Sequence, residues 1–213
     1  LAFVATDAAL SPAMVNSICE EAANVSFNRI TVDGDTSTND AFVLMATGER
    51  QNKKIIKDSD EFRLLAETIC MVCTELAKDI VRDGEGATKF ATITVFGDAE
   101  EERSRVAYAV AESPLVKTAL FASDANWGRI LAAGGRSIEP TPRLEDVNIN
   151  VSGLPLVKNG QPVVSKNSDA IDQAFAQSEI KFSIYLNDST LSTSVWTCDY
   201  SYEYVRINAE YRT

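Results

Sequence analysis

The chain has 213 residues, enough for one large domain or two small ones, and its 45% apolar content suits a globular protein with a sizeable core. A net charge of −11 argues against a nucleic-acid or anionic-membrane partner, since both require basic surface. No apolar run approaches the ~18 residues of a transmembrane helix and the start lacks the basic region of a signal peptide, so a soluble cytoplasmic protein is expected, with the mitochondrial matrix as the eukaryotic alternative.

In chain order, "LAFVATD" (1–7) reads as a strand whose apolar run is expected to be buried. Ser11 as N-cap and Pro12 at the first helical position start a helix through Val25. "NRITVD" and "AFVLMATG" read as strands around the polar turn "GDTSTND". The longest helix runs from about Ser59 to Arg82, with Phe62, Leu65, Ile69, Val72, Leu76 and Ile80 on one apolar face. "KFATITVFGD" is a strand, and "AEEERSRVAYAVAES" is a helix with acids in its first turn. Pro114 starts a short helix or a turn, and "NWGRILAAGGR" is a helix ending in glycines. The strands "VNINVSG", "LPLVKNG" and "QPVV" follow, with Asn159-Gly160 as a hairpin signal. A short helix, "SDAIDQAFAQS", precedes the strands "EIKFSIYLND" and "TSVWTCD" and a terminal helix with a tail. The prolines Pro140 and Pro142 mark a sub-domain junction near 138–145. The fold class is α/β (α+β), with several strands paired as hairpins.

Catalysis has to come from few residue types. The chain has no His, which excludes a Ser-His-Asp or Cys-His apparatus built from it alone and removes the commonest zinc ligand. Cys70 and Cys73 form a C-x-x-C, but inside a periodic helix and without a second pair, so they read with Cys19 and Cys198 as structural thiols. No metal or cofactor is expected.

Four stretches are candidates. In "RDGEGATKF" (82–90), two glycines flank Glu85 and leave its carboxylate unshielded, as capture of an ammonium group requires; the alternative is a helix C-cap turn with a solvated acid. In "YVRINAEYRT", Asn208 and Thr213 could reach one small ligand if Tyr200, Tyr202, Tyr204 and Tyr211 pin the chain end; the alternative is a docked helix with a ragged tail. "VDGDTSTND" lacks the spacing of a calcium loop and reads as a self-bonded turn. Trp127 and Arg129 in "SDANWGRILAAGGR" could line a site or pack helices.

Taken together, "LAFVATDA", "ITVDGDTSTNDAFVLMATG", "DIVRDGEGATKF", "SPLVKTALFASDANWGRILAAGGR" and "YVRINAEYRT" resemble the ornithine acetyltransferase (glutamate N-acetyltransferase) family of arginine biosynthesis, specifically its β chain, over the whole 1–213. The resemblance implies a precursor that cuts itself between Ala and Thr into α and β chains that stay associated, usually two of each. It implies an α/β sandwich shared by both chains, like N-terminal-nucleophile hydrolases but with its own connectivity. It implies acetyl transfer from N2-acetylornithine to glutamate by a ping-pong route, with acetyl-CoA as a second donor in some members. The family pattern Ala-Thr-Met-Leu-Ala-Phe aligns Leu1 with its Leu, which puts the nucleophilic Thr two residues ahead of Leu1 and the oxyanion hole on the α chain. An N-terminal Thr carries its own base in its α-amine, so the lack of His is no obstacle. Glu85, Asn208 and Thr213 match the family's substrate-binding residues; beyond that match, we expect Glu85 at the ammonium end of the substrate and the other two at its polar end. Two other readings stay open: a related self-cleaving aminopeptidase, expected to lack "DGEGATK" and "NAEYRT", and a non-catalytic amino-acid-binding subunit.

Overall fold

The computed structural model describes residues 1–138, 144–163 and 168–211; most of the expected junction at 138–145, with Pro140 and Pro142, lies outside them, as does Thr213. The chain divides into two compact units, one of Leu1–Ile30 with Asp35–Ile80, the other of Thr31–Gly34 with Val81–Thr213.

The first unit holds β1 (Ala2–Thr6), α1 (Pro12–Val25), a 3₁₀ turn (Phe27–Arg29), β2 (Phe42–Ala46) and all but the end of α2 (Asp60–Arg82). Ser11 caps α1, accepting from the Met14 amide at 3.4 Å, and Pro12 occupies the first turn, where its missing N–H costs nothing. Met14, Ile18 and Ala22 recur every fourth residue of α1, and they meet Leu44 of β2 and Phe62, Ala66, Ile69 and Cys73 of α2 in one buried cluster. β1 and β2 pair in parallel, Ala2 opposite Phe42 through Thr6 opposite Ala46.

Three expectations are corrected here. β1 is not buried: Leu1 is 77% and Phe3 61% exposed, because the two-stranded sheet packs only the face bearing Val4 and Leu44. The face with Phe3, Val43 and Met45 stays open. The core stripe of α2 is rotated from the expected one. Phe62, Ala66, Ile69, Cys73, Ala77 and Val81 are buried, whereas Val72, Leu76 and Ile80 are exposed. Small side chains at 66, 73 and 77 allow close approach on that side, so size rather than hydrophobicity selected the face. "NRITVD" is not a strand. The Asn28 and Arg29 side chains reach back to Asn24 at 3.0 and 3.1 Å, and the Arg29 amide bonds Ser26 O at 2.9 Å, which holds these residues in a 3₁₀ turn. Ile30 is an isolated bridge residue, and the Thr31 amide bonds Trp196 O at 3.0 Å.

The second unit is a six-stranded sheet with helices on one face. Its elements are β3 (Phe90–Phe96), α3 (Glu100–Ala111), α4 (Pro114–Phe121), α5 (Trp127–Gly135), β4 (Asn148–Val151), β5 (Leu154–Lys158), β6 (Gln161–Pro162), α6 (Ser168–Ala176), β7 (Glu179–Tyr185), β8 (Ser192–Cys198) and α7 (Tyr202–Glu210). The order is β6-β5-β4-β7-β3-β8; β3 and β7 run parallel and the other neighbours antiparallel. Period-two alternation sends Ala91, Ile93 and Val95 of β3, Ile180, Phe182 and Ile184 of β7, and Ile149 and Val151 of β4 into one core. Val106 and Val110 of α3, Val116 and Leu120 of α4, Ile130 of α5 and Phe175 of α6 close that core. Gly160, at φ +70°, turns the expected hairpin between β5 and β6. Pro114 does begin a helix, with Ser113 as its cap. The expected α/β class and layering hold.

Candidate functional site

The Glu85 loop leaves the C-terminus of α2 and enters β3. The Ala87 amide bonds Gly84 O at 2.9 Å, closing a tight turn with Glu85 and Gly86 at its centre. Gly86 sits at φ +66°, and a Cβ there would lie 2.6 Å from the Tyr204 amide nitrogen. That glycine is therefore demanded twice, by backbone conformation and by the close approach of α7. A Cβ at Gly84 would crowd Val81 O at 3.1 Å and Cys198 Sγ at 3.4 Å.

What holds this turn is the corner between β8 and α7. Asp199, 1% exposed, accepts the Thr88 and Lys89 amides, each at 2.8 Å, and the Thr88 hydroxyl at 2.6 Å. Ser201 donates its hydroxyl to Gly86 O at 2.5 Å while capping α7 by accepting from the Tyr204 amide at 3.3 Å. Lys117 of α4, fully buried, donates to Thr197 Oγ1 at 2.8 Å and to Cys198 O, and its ammonium lies 4.6 Å from the centre of the Tyr200 ring. Burial pushes its pKa below the ordinary lysine range, against the opposing pull of Cys198, Asp199 and Asp33. Tyr200 stacks on Tyr204 at 4.6 Å between centroids; both hydroxyls reach Asp33, at its carbonyl (3.3 Å) and its carboxylate (3.1 Å). Burial, with Tyr204 and Asp33 nearby, pushes the Tyr200 phenol well above its usual range. Two of the four expected pinning aromatics thus fix α7 through Asp33. Tyr202, 82% exposed, adds an edge-on contact with Phe121 of α4 at 5.3 Å between centroids, and Tyr211 is 74% exposed.

On this frame Asn208 Nδ2 donates to Glu85 Oε2 at 2.8 Å and to Tyr204 O at 3.0 Å. Both neighbours are acceptors, which fixes the amide orientation and leaves Asn208 Oδ1 as an outward acceptor. Glu85 Oε1 has no protein donor among the described residues. Two residues 123 positions apart therefore present two acceptors side by side, both on exposed side chains, an arrangement that suits an ammonium ion. The hydrogen bond puts Asn208 beside Glu85. Thr213, the third expected residue, lies outside the described residues.

The other sequence candidates resolve into structure. "VDGDTSTND" is a self-bonded turn, with Gly34 N on Thr31 Oγ1 at 3.1 Å and Asn39 N on Ser37 Oγ at 3.1 Å. Cys73 is fully buried and its thiol is pushed up to about 11, chiefly by burial, which leaves it inert as a thiolate. Trp127 packs on the core of the second unit, and Arg129 ties α5 to α4 through Leu115 O at 2.9 Å. Sequence reasoning missed Asp199, Ser201 and Lys117. One signal was available for Lys117, a charged residue within the apolar run "PLVKTALF".

The model of the ArgJ family matches residues 1–213. The arginine biosynthesis bifunctional protein ArgJ of Pseudomonas syringae pv. tomato is 45% identical over 215 residues, covering all of this chain and 53% of that protein. The mitochondrial protein of that name from Podospora anserina is 42% identical, covering all of this chain and 49% of its own length. This chain thus spans about half the length of the curated relatives it matches. The crystal structure of arginine biosynthesis bifunctional protein ArgJ from Bacillus halodurans superposes with a TM-score of 0.91 at 37% identity, covering 99% of both chains. The chain belongs to the ArgJ family.

Proposed function

We propose that this chain is the β chain of a glutamate N-acetyltransferase that moves acetyl from N2-acetylornithine to glutamate, and that Glu85 and Asn208 hold the ammonium end of the donor. The observation that carries the site reading is the Glu85–Asn208 hydrogen bond, which leaves Glu85 Oε1 and Asn208 Oδ1 without a donor among the described residues. N2-acetylornithine has a single cationic group, its δ-ammonium, because its α-nitrogen is an amide. Glutamate carries a carboxylate at the matching end and gains nothing from Glu85, so Glu85 favours the donor. Thr213 belongs, on the resemblance, to the same site.

Family membership supports the chemistry. A Thr ahead of the Leu-Ala-Phe of β1 attacks the acetyl carbonyl. Its hydroxyl oxygen bonds to carbon, the amide C–N bond breaks, and the hydroxyl proton passes through the Thr α-amine to the departing ornithine amine. The α-amine of glutamate then takes the acetyl from the ester, and the Thr oxygen recovers its proton. The oxyanion hole is supplied by the α chain, and acetyl-CoA can replace acetylornithine in loading the Thr. The apolar face left open on β1 and β2 supports a partner chain, since parallel sheets are otherwise covered on both faces. The assembly is two α and two β chains, in the bacterial cytoplasm or the mitochondrial matrix. No helix among the described residues is long and apolar enough to cross a membrane.

Incubation of the purified complex with N2-acetylornithine alone, followed by intact mass and N-terminal sequencing, tests this. A β chain beginning with Thr that gains one acetyl group and surrenders it to glutamate is expected. Binding without acetylation would point to an amino-acid-binding subunit, and peptide hydrolysis without transfer to the aminopeptidase.

A further inference from the structure

We propose that Asp199 is a positioning residue for the donor site: its buried carboxylate sets the Glu85 loop in register with Asn208. The inference rests on the reading that Glu85 and Asn208 bind N2-acetylornithine. Asp199 touches neither residue. All three donors to its carboxylate come from Thr88 and Lys89, three and four residues after Glu85, and its own amide returns to Lys89 O at 3.3 Å. Two residues further along the chain, Ser201 grips Gly86 from the other side and starts α7. Asp199 therefore stands where two rigid arms meet, one ending at Glu85 and the other, nine residues on, at Asn208.

A buried carboxylate is costly unless its oxygens are engaged. Here the hydrogen bonds to the carboxylate come entirely from the loop, the buried Lys117 ammonium acts on it only through space, and no ion pair of Asp199 occurs among the described residues. Bonds to an ionised acceptor are short and strong, which suits a group that must hold a glycine-rich turn otherwise free to shift. A shift of about 1 Å is enough to break the contact between Glu85 and Asn208 and to misplace the donor.

The test uses the intact enzyme and three variants, Asp199→Ala, Asp199→Asn and Thr88→Val. Asp199→Ala leaves two amides and a hydroxyl without an acceptor; it is expected to raise the KM for N2-acetylornithine about tenfold with kcat within about twofold. Asp199→Asn still offers one oxygen to both amides and an N–H to the Thr88 hydroxyl, and it is expected to return KM to within about threefold of wild type. Thr88→Val removes one bond only and keeps the proposal testable if the alanine variant does not fold; it is expected to raise KM about threefold. Hydrogen exchange at the Thr88 and Lys89 amides reports the loop directly. A purely structural role would lower thermal stability and active fraction without moving KM. Unchanged KM in a folded variant whose Thr88 and Lys89 amides exchange freely would overturn the proposal. Absence of acetyl transfer in the wild-type enzyme would instead overturn the functional reading on which it rests.

Discussion

The two units of this chain use apolar sequence in opposite ways. In the second, alternation along β3, β7 and β4 sends the apolar residues of one sheet face into a core closed by four helices, and among the described residues every buried side-chain polar atom is bonded. In the first, a strand as apolar as "LAFVA" shows Leu1 and Phe3 to solvent, and α2 exposes Leu64, Met71, Val72, Leu76 and Ile80. Burial follows from what lies opposite a residue, not from its hydrophobicity. The candidate chemistry sits where the second unit completes its packing with Asp199, Ser201 and Lys117 rather than with more carbon.

That contrast can be broken by substitution. Phe182→Ala, in the closed core, is expected to cost about 4 kcal/mol in urea unfolding. Gly86→Ala forces both a left-handed alanine and a backbone clash with Tyr204, and should cost about 3 kcal/mol and abolish donor binding. Cys73 offers a pH test of the smaller core. Its folded pKa of about 11 lies above the ordinary 9.0, so its contribution is fully present below pH 9 and is lost as pH rises through 11. Cys73→Ala should flatten the alkaline limb of the stability profile by about 2 kcal/mol between those values. A parallel limb in wild type and variant would contradict the assignment. Phe3→Ser, on the open face, should change the stability of this chain without its partner by less than about 0.5 kcal/mol. A loss comparable to that of Phe182→Ala would show that the face is closed.

Most elements were legible in the sequence because local signals set them. Ser11 and Pro12 start α1, Ser113 and Pro114 start α4, and Asn159-Gly160 turns β5 into β6. The face of α2 was not legible, since its apolar residues cover more than one stripe and side-chain size decided which side is buried. "NRITVD" failed because its side chains bond back to α1, a competition that strand propensity does not register. Of the site, Glu85 and Asn208 stood out through motifs at the two ends of a span of 123 residues, but their contact belongs to the tertiary fold. Asp199 carried no signal at all: an acid after a strand usually reads as solvated, and only the amides of Thr88 and Lys89 give it a role.

The central claim is that Glu85, oriented by Asn208, receives the donor's δ-ammonium. The most direct measurement is steady-state acetyl transfer by Glu85→Gln, which keeps the shape and the bond to Asn208 while removing the charge. The KM for N2-acetylornithine is expected to rise about thirtyfold, with the KM for glutamate within about threefold of wild type. Unchanged constants for both substrates, or an equal rise for both, would contradict it.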